Sequence, residues 1–233
     1  MRTFAGIASL PGRPLEQTLY SLRPQVDELG VYLNGYAEVP RYVHELGCHW
    51  VLDRNQGSSA KLHWARWCKG VYLACDDDLE YPPGYVDRLV EELERWASVG
   101  ANVLVTACGR TLRADARSWF DVQGERRYVA AVPEARWINY LGGCAFAFYT
   151  SLQPPAIGPP NEEEAVLSVW AQRQGIPIRL IARPYDWPKR IPLAPGAFTL
   201  YERAARERFA TRSRIIQEVS PWQIHQPAPS PVP

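Results

Sequence analysis

The chain has 233 residues, enough for one large domain or a domain with an arm, and its 46% hydrophobic and 22% charged residues exclude a wholly disordered chain and a coiled coil. Twenty-six basic against 25 acidic residues leave a net charge of +1, so the total does not indicate a strongly basic nucleic-acid binder. No window approaches the roughly 18 apolar residues of a membrane span. The apolar stretch Phe4 to Leu10 is too short for a signal-peptide core, so a cytoplasmic protein is expected.

In chain order, Thr3 to Leu10 reads as a strand, and Leu15, Leu19, Leu22 and Val26 recur at helical spacing. Gly30 to Leu33 is a second strand closed by the turn pair Asn34-Gly35. Val39 to Leu46 reads as a short helix, His49 to Leu52 as a short strand, Asp53 to Ser59 as turn chemistry and Ala60 to Cys68 as a helix. Gly70 to Cys75 is a continuous apolar run, the pattern of a central strand buried on both faces. Pro82-Pro83 opens the next helix, with Val86, Leu89, Val90, Leu93 and Trp96 along one face and Gly100 at its end. Asn102 to Cys108 is a strand, Thr111 to Trp137 an irregular excursion over the sheet edge, and Tyr140 to Tyr149 a returning strand. A helix over Asn161 to Gln174, a strand over Ile176 to Ala182, a charged helix over Tyr201 to Val219 and a proline-rich end from Gln226 follow.

Strands alternating with helices indicate an α/β domain with a mostly parallel sheet. Residues 1–195 are expected to form it, and 196–233 a C-terminal helical arm with a proline-rich tail. The five cysteines are odd in number and form no CxxC, so each is expected to be a small buried thiol rather than part of a disulfide framework or zinc site.

The strongest chemical signal is Asp76-Asp77-Asp78, directly after the apolar run. Ligands of open α/β sheets bind beyond the carboxyl ends of the strands. Adjacent carboxylates repel one another and so suggest a cation, and Mg2+ or Mn2+ favours one or two carboxylates together with phosphate oxygens. The plainer reading is an acidic loop capping the helix near Pro82.

Several pieces, in order, resemble the small bacterial and phage glycosyltransferases of family 2 type, which have the GT-A fold. These are Ile7 to Arg13, Gln25 to Asn34, the K-x-x-W-A segment Lys61 to Ala65, Tyr72 to Tyr85 with its DxD, Leu141-Gly142-Gly143, Asn161 to Pro177 and Tyr185-Asp186-Trp187. The resemblance covers roughly residues 3–192. It implies a GT-A-like, Rossmann-like sheet flanked by helices, a nucleotide-sugar donor with a UDP-sugar favoured, Mn2+ or Mg2+, and sugar transfer to a hydroxyl with inversion. Donor binding then falls to Pro11, Arg13, Asp53, Lys61, Asp76 and Asp77, with the metal on Asp78 and Asp76. Gly142, Gly143 and Trp187 lie on the acceptor side, and the proton acceptor is Glu164, followed by Glu163. The family usually carries Asp at the position of Glu164. Helix-start acids also have a purely electrostatic use, as has an arginine helix with glutamate partners.

Two kinds of acceptor fit this reading, a glycan or other small acceptor, or a hydroxymethylated pyrimidine of DNA. The second draws on the arginines of the C-terminal helix and on loop tryptophans, and needs an extruded base. A nucleotidyltransferase is a further alternative using clustered carboxylates, although Leu10-Pro11-Gly12-Arg13 is a poor glycine-rich loop. A non-catalytic nucleotide-sugar binder is the last.

Overall fold

The computed structural model describes residues 1–123, 130–142, 144–155, 158–193 and 209–227. The strands are β1 (Thr3–Ser9), β2 (Glu28–Asn34), β3 (His49–Asp53), β4 (Val71–Cys75), β5 (Leu79–Glu80), β6 (Leu104–Thr106), β7 (Gly109–Leu112), β8 (Val122–Gln123), β9 (Arg136–Ile138), β10 (Tyr140–Leu141), β11 (Ala145–Tyr149), β12 (Ile178–Leu180) and β13 (Lys189–Arg190). The helices are α1 (Leu15–Leu22), α2 (Arg41–Glu45), α3 (Tyr85–Ala97), α4 (Glu163–Gln174) and α5 (Ala210–Ile216).

Eight strands form the main sheet in the order β3-β2-β1-β4-β11-β6-β12-β9. Strands β3, β2, β1 and β4 are mutually parallel, as are β6 and β12, while β11 and β9 run antiparallel to their neighbours. The fold is thus the expected α/β architecture, a mostly parallel Rossmann-like sheet flanked by helices. The chain moves outward from β1 to β2 and β3, then returns to place β4 on the other side of β1. The order therefore reverses between β1 and β4, where an open sheet leaves a crevice beyond its carboxyl ends.

Alternation along the strands makes two cores. Ile7, Val31, Leu33, Leu73 and Ala147 face α1 and α3, which supply Leu15, Leu19, Leu89 and Leu93. Phe4, Tyr72, Phe146 and Phe148 face the other way, toward Leu62 and the α4 residues Leu167 and Ala171. Gln25 fastens α3: its Oε1 accepts from the amides of Tyr85 at 3.0 Å and Val86 at 3.4 Å, two donors the helix itself leaves unpaired. The helix starts at Tyr85 and not at the proline pair, with Gly84 left-handed at φ 77° before it. A third cluster seats the C-terminal segment: Phe209, Ile216 and Trp222 bury against Trp119, Tyr140 and Val169. Residues 201–208 of the expected C-terminal helix, and 228–233 of the tail, lie outside the described residues.

Three local expectations are corrected. The segment expected as a helix over Ala60 to Cys68 is a 3-10 turn over Ser58–Leu62 followed by further turns. It lies across paired Gly6 and Gly30, where a Cβ would strike the Tyr72 hydroxyl and the Lys61 carbonyl in one case and the Trp64 indole in the other. The strand expected over Tyr140 to Tyr149 is two strands. β10 joins β7, and Gly142 then passes so close to the Cys108 backbone that a Cβ would lie 2.8 Å from it. Finally, Cys108 and Cys144 form a disulfide with Cα atoms 5.9 Å apart, because β6 and β11 are neighbours that bring their ends together. Only Cys48, Cys68 and Cys75 are free thiols.

Candidate active site

Asp76, Asp77 and Asp78 follow directly on the carboxyl end of β4, beside the carboxyl end of β1, where the strand order reverses. The backbone there is fixed by Tyr81, whose hydroxyl accepts from the Asp76 amide at 2.9 Å and donates to the Cys144 carbonyl at 2.9 Å. The three carboxylates divide between two cations. Arg13, at the end of the turn after β1, donates to Asp77 Oδ1 at 2.9 Å and meets Asp78 Oδ2 at 2.7 Å. The turn is closed by the Arg13 amide on the Leu10 carbonyl at 3.2 Å, with Gly12 at φ 82° and Pro11 exposed on its outside. Asp76 pairs with Lys61 Nζ at 2.5 Å.

Lys61 is almost wholly buried, and its second partner is Glu163 at 3.0 Å, in the first turn of α4. Glu163 also accepts from the Ser58 hydroxyl at 2.8 Å and the Ser59 hydroxyl at 3.2 Å. Asn161 Oδ1 accepts the Ser58 amide at 2.8 Å, so the Gly57–Ser59 loop and the start of α4 form one unit. Neighbouring Glu162 and Glu164 turn the other way, to Arg212 of α5, at 2.8 and 3.0 Å. The Arg212 guanidinium lies over the Trp119 ring at 4.6 Å.

Burial and charge compete at each group. Burial works to lower the Lys61 ammonium, but Asp76 and Glu163 outweigh it and hold the lysine well above its usual range. Burial pushes the Asp76 carboxyl up to about 7 against the opposing pull of Lys61. It pushes Glu163 up as well, yet there Lys61 and the Ser58 hydroxyl prevail and the net shift is downward. One buried cation thus serves two carboxyls, and Glu163 keeps the charge more firmly. Asp77 is raised by burial, which its bonds to Arg13 only partly offset.

The structure therefore brings Arg13, Lys61, Asp76, Asp77, Asp78 and Glu163 together. Glu164 is beside Arg212 instead. Asp53 ends β3 on the surface, accepting from the Tyr32 hydroxyl at 2.9 Å and from the Arg54 amide at 2.7 Å. Trp187 packs on Tyr85 of α3, rings 4.6 Å apart, with the Arg88 guanidinium over it at 4.8 Å. Gly142 serves the approach to Cys108, and Gly143 lies outside the described residues. Sequence reasoning missed Ser58, Ser59, Asn161, Tyr81 and the role of Arg212. The nearest signal was three glutamates in a row after an asparagine, an acidic run too dense for one helix start to use. A cavity of about 1030 Å³ opens at the opposite end of β4, beside Trp67, Gly70 and Thr150, and has no carboxylate in its lining.

No family model and no curated protein matches this sequence. Solved structures do. A mycobacterial protein shares 17% identity over 91% of this chain and 74% of its own, at a TM-score of 0.59, a likeness of fold. The 2-C-methyl-D-erythritol 4-phosphate cytidylyltransferase of Thermus thermophilus shares 18% identity over 88% and 98%, at a TM-score of 0.46. A 4-diphosphocytidyl-2C-methyl-D-erythritol synthase shares 14% over 91% and 96%, at a TM-score of 0.39.

The expected glycosyltransferase, on a glycan or on DNA, is corrected. The two solved structures above that are named for an activity are not glycosyltransferases. The site differs from the expectation too. Asp76, Asp77 and Asp78 do not converge on one another but pair with Lys61 and Arg13. Among the described residues no three of His, Cys, Asp and Glu are grouped to hold an ion. Among the same residues no helix is long and apolar enough to cross a membrane.

Proposed function

We propose that this chain is a nucleotidyltransferase, moving a nucleotidyl group from a nucleoside triphosphate to an oxygen acceptor. The observation that carries this reading is the place and charge of the site. At the point where the strand order reverses, a guanidinium and three carboxylates face one another at the carboxyl ends of β1 and β4. That crevice is where an open α/β sheet takes a nucleotide.

In the reaction an acceptor oxygen attacks the α-phosphorus and the bond to the bridging oxygen breaks. Pyrophosphate leaves, and a hydroxyl acceptor gives its proton to solvent. Arg13, 14% exposed, is the cation able to turn from Asp77 and Asp78 onto phosphate oxygens, where a planar fork binds well. Lys61 is too deep to touch the donor; it is a positioning residue that fixes Asp76 and α4. The carboxylates accept Mg2+ or Mn2+ in one form only, as one or two ligands from Asp76 and Asp78, which are 29% and 22% exposed, completed by phosphate. A bound ion would neutralise charge on the phosphates.

The test is calorimetry of the four nucleoside triphosphates with Mg2+, cytidine triphosphate first in view of the two cytidylyltransferases, followed by pyrophosphate release with phosphorylated polyols. Binding of one triphosphate is expected, weakened about tenfold or more in Arg13→Ala, the scale of a charge-assisted hydrogen bond. Absence of binding by all four overturns the reading. Binding without turnover across acceptors reduces it to a nucleotide-binding protein.

A further inference from the structure

We propose that the free edge of β3 is a self-association surface, on which a second copy of this chain adds its own β3 antiparallel across a two-fold axis centred on Val51. β3 pairs only with β2 among the described residues, and it closes one end of the eight-stranded sheet. Exposed edges are normally blunted by proline, lysine or a bulge. This one reads His49-Trp50-Val51-Leu52-Asp53, with Trp50 45% and Leu52 38% exposed at its centre.

The backbone fixes which groups are free. The Gly35 amide donates to the Asp53 carbonyl at 2.7 Å, and Asn34 is the register partner of Asp53, so the peptide groups of Asp53 face β2. Alternation turns His49 and Val51 the same way. The amides and carbonyls of Trp50 and Leu52 therefore point outward, away from the sheet.

A two-fold axis through Val51 sets Trp50 opposite Leu52 of the second copy, and Leu52 opposite its Trp50. Both residues of each such pair carry outward backbone groups, so each pair exchanges two hydrogen bonds, four in all. The same register places an indole against a leucine twice. It also puts His49, which holds Glu28 at 2.9 Å, opposite the exposed Asp53 carboxylate at both ends. Sliding by two residues would lose these matches, setting Trp50 against Trp50 or Leu52 against Leu52. At the sheet's other end β9 is a three-residue strand with exposed Arg136, and Trp137 is packed on Trp96 at 4.8 Å, whereas the only ring contact of Trp50 among the described residues is edge-on with His44 at 5.8 Å, and Trp50 stays 45% exposed. The dimer joins two sheets into one and leaves the two crevices facing opposite directions, so each site is complete within its own chain.

Sedimentation of the full chain at micromolar concentration tests this, with a species of twice the 26.4 kDa chain mass expected. Leu52→Pro removes only an outward amide, which an edge strand tolerates, and Trp50→Lys puts a charge at the pair. Both are expected to give folded monomers. The register is read by Val51→Cys. Facing residues of a non-hydrogen-bonded pair have Cα atoms about 4.5 Å apart, within disulfide range, so mild oxidation should link two chains of Val51→Cys and not of Trp50→Cys. A wild-type monomer overturns the proposal, as does a dimer untouched by Leu52→Pro and Trp50→Lys. A monomer whose Trp50 and Leu52 amides resist hydrogen exchange also overturns it, in favour of a segment of the same chain on the edge. Crosslinking through Trp50→Cys alone overturns the register.

Discussion

Two acidic triplets, Asp76-Asp77-Asp78 and Glu162-Glu163-Glu164, solve the same electrostatic problem in different surroundings. In each, one carboxylate goes to one cation and two go to another: Asp76 to Lys61 with Asp77 and Asp78 to Arg13, and Glu163 to Lys61 with Glu162 and Glu164 to Arg212. The first follows a strand, at a crevice where Asp78 and Asp76 still meet solvent. The second starts a helix, locked between the body and the C-terminal segment. Lys61 belongs to both and, among the described residues, is the group whose ion pairs join them. The comparison teaches that a run of like charges need not announce a metal; it can be dispersed when the fold brings cations from three distant parts of the chain. It also separates a triplet partly open to solvent from one held between the body and the C-terminal segment.

The largest effect on this pairing is expected from Lys61→Met. Removing the shared cation leaves Asp76 and Glu163 without their counter-ion, Glu163 keeping only the Ser58 and Ser59 hydroxyls, and breaking a buried ion pair from one side costs about 3–5 kcal/mol. Denaturant unfolding measures it. A loss below about 1 kcal/mol, the range of a surface pair, would mean the two triplets are independent.

Arg212→Met comes next, at about 2–4 kcal/mol, because Glu162 and Glu164 lose a nearly buried partner while water reaches them more readily than it reaches Glu163. Its signature is local. Phe209, Ile216 and Trp222 hold the C-terminal segment on Trp119 and Tyr140, and Gln172 and Gln223 exchange bonds at 2.8 and 3.0 Å. Hydrogen exchange should rise over 209–223 with little change in β1 or β4. A uniform rise would show that the segment is integral to the main core. Arg13→Ala is expected to be the mildest of the three for stability, about 1–2 kcal/mol, since Asp78 still meets solvent at 22% exposure, although Asp77 at 9% is as buried as Glu162. Its large effect should be on nucleotide affinity. A large stability loss with unchanged nucleotide affinity would make the open triplet as structural as the closed one.

Much of this fold was legible. Strands such as Gly70 to Cys75 and Thr3 to Leu10 announce themselves because both faces are buried and the residues are continuously apolar. The position of the acidic run was legible too, since Asp76 to Asp78 follow directly on β4, which lies beside β1 in the sheet. The partners were not. Lys61 and Asp76 are 15 residues apart and Glu163 is another 87 further on, so their meeting depends on how the 58–62 turn crosses the sheet. That turn read as a helix because Leu62, Trp64, Ala65 and Trp67 carry helical spacing. Their spacing is set instead by the hole over Gly6 and Gly30. The Cys108–Cys144 bond was hidden for a similar reason: an odd count says nothing about two strand ends that antiparallel pairing brings together.

The subtlest difference between the triplets is in pH, and Asp76→Asn isolates it. The Asp76 carboxyl is held at about 7, above the roughly 3.9 of an unfolded chain, so between those values the native state binds the proton more tightly. Its contribution to stability is therefore complete below about pH 4 and is lost as pH rises through about 7. Glu163 is shifted the other way. Its contribution is present above the unfolded value of about 4.3 and is lost only in stronger acid, as pH falls through its lowered folded value. The two windows barely overlap. Thermal melts of the metal-free chain at several pH values, wild type minus Asp76→Asn, should show wild type losing ground between about pH 4 and 7 and a flat difference above. The raised Asp77 and Glu162 are present in both proteins and cancel in the subtraction. A difference that instead grows in favour of wild type over that interval would mean Asp76 is the firmly charged partner of Lys61, and the sharing of that lysine would have to be reversed.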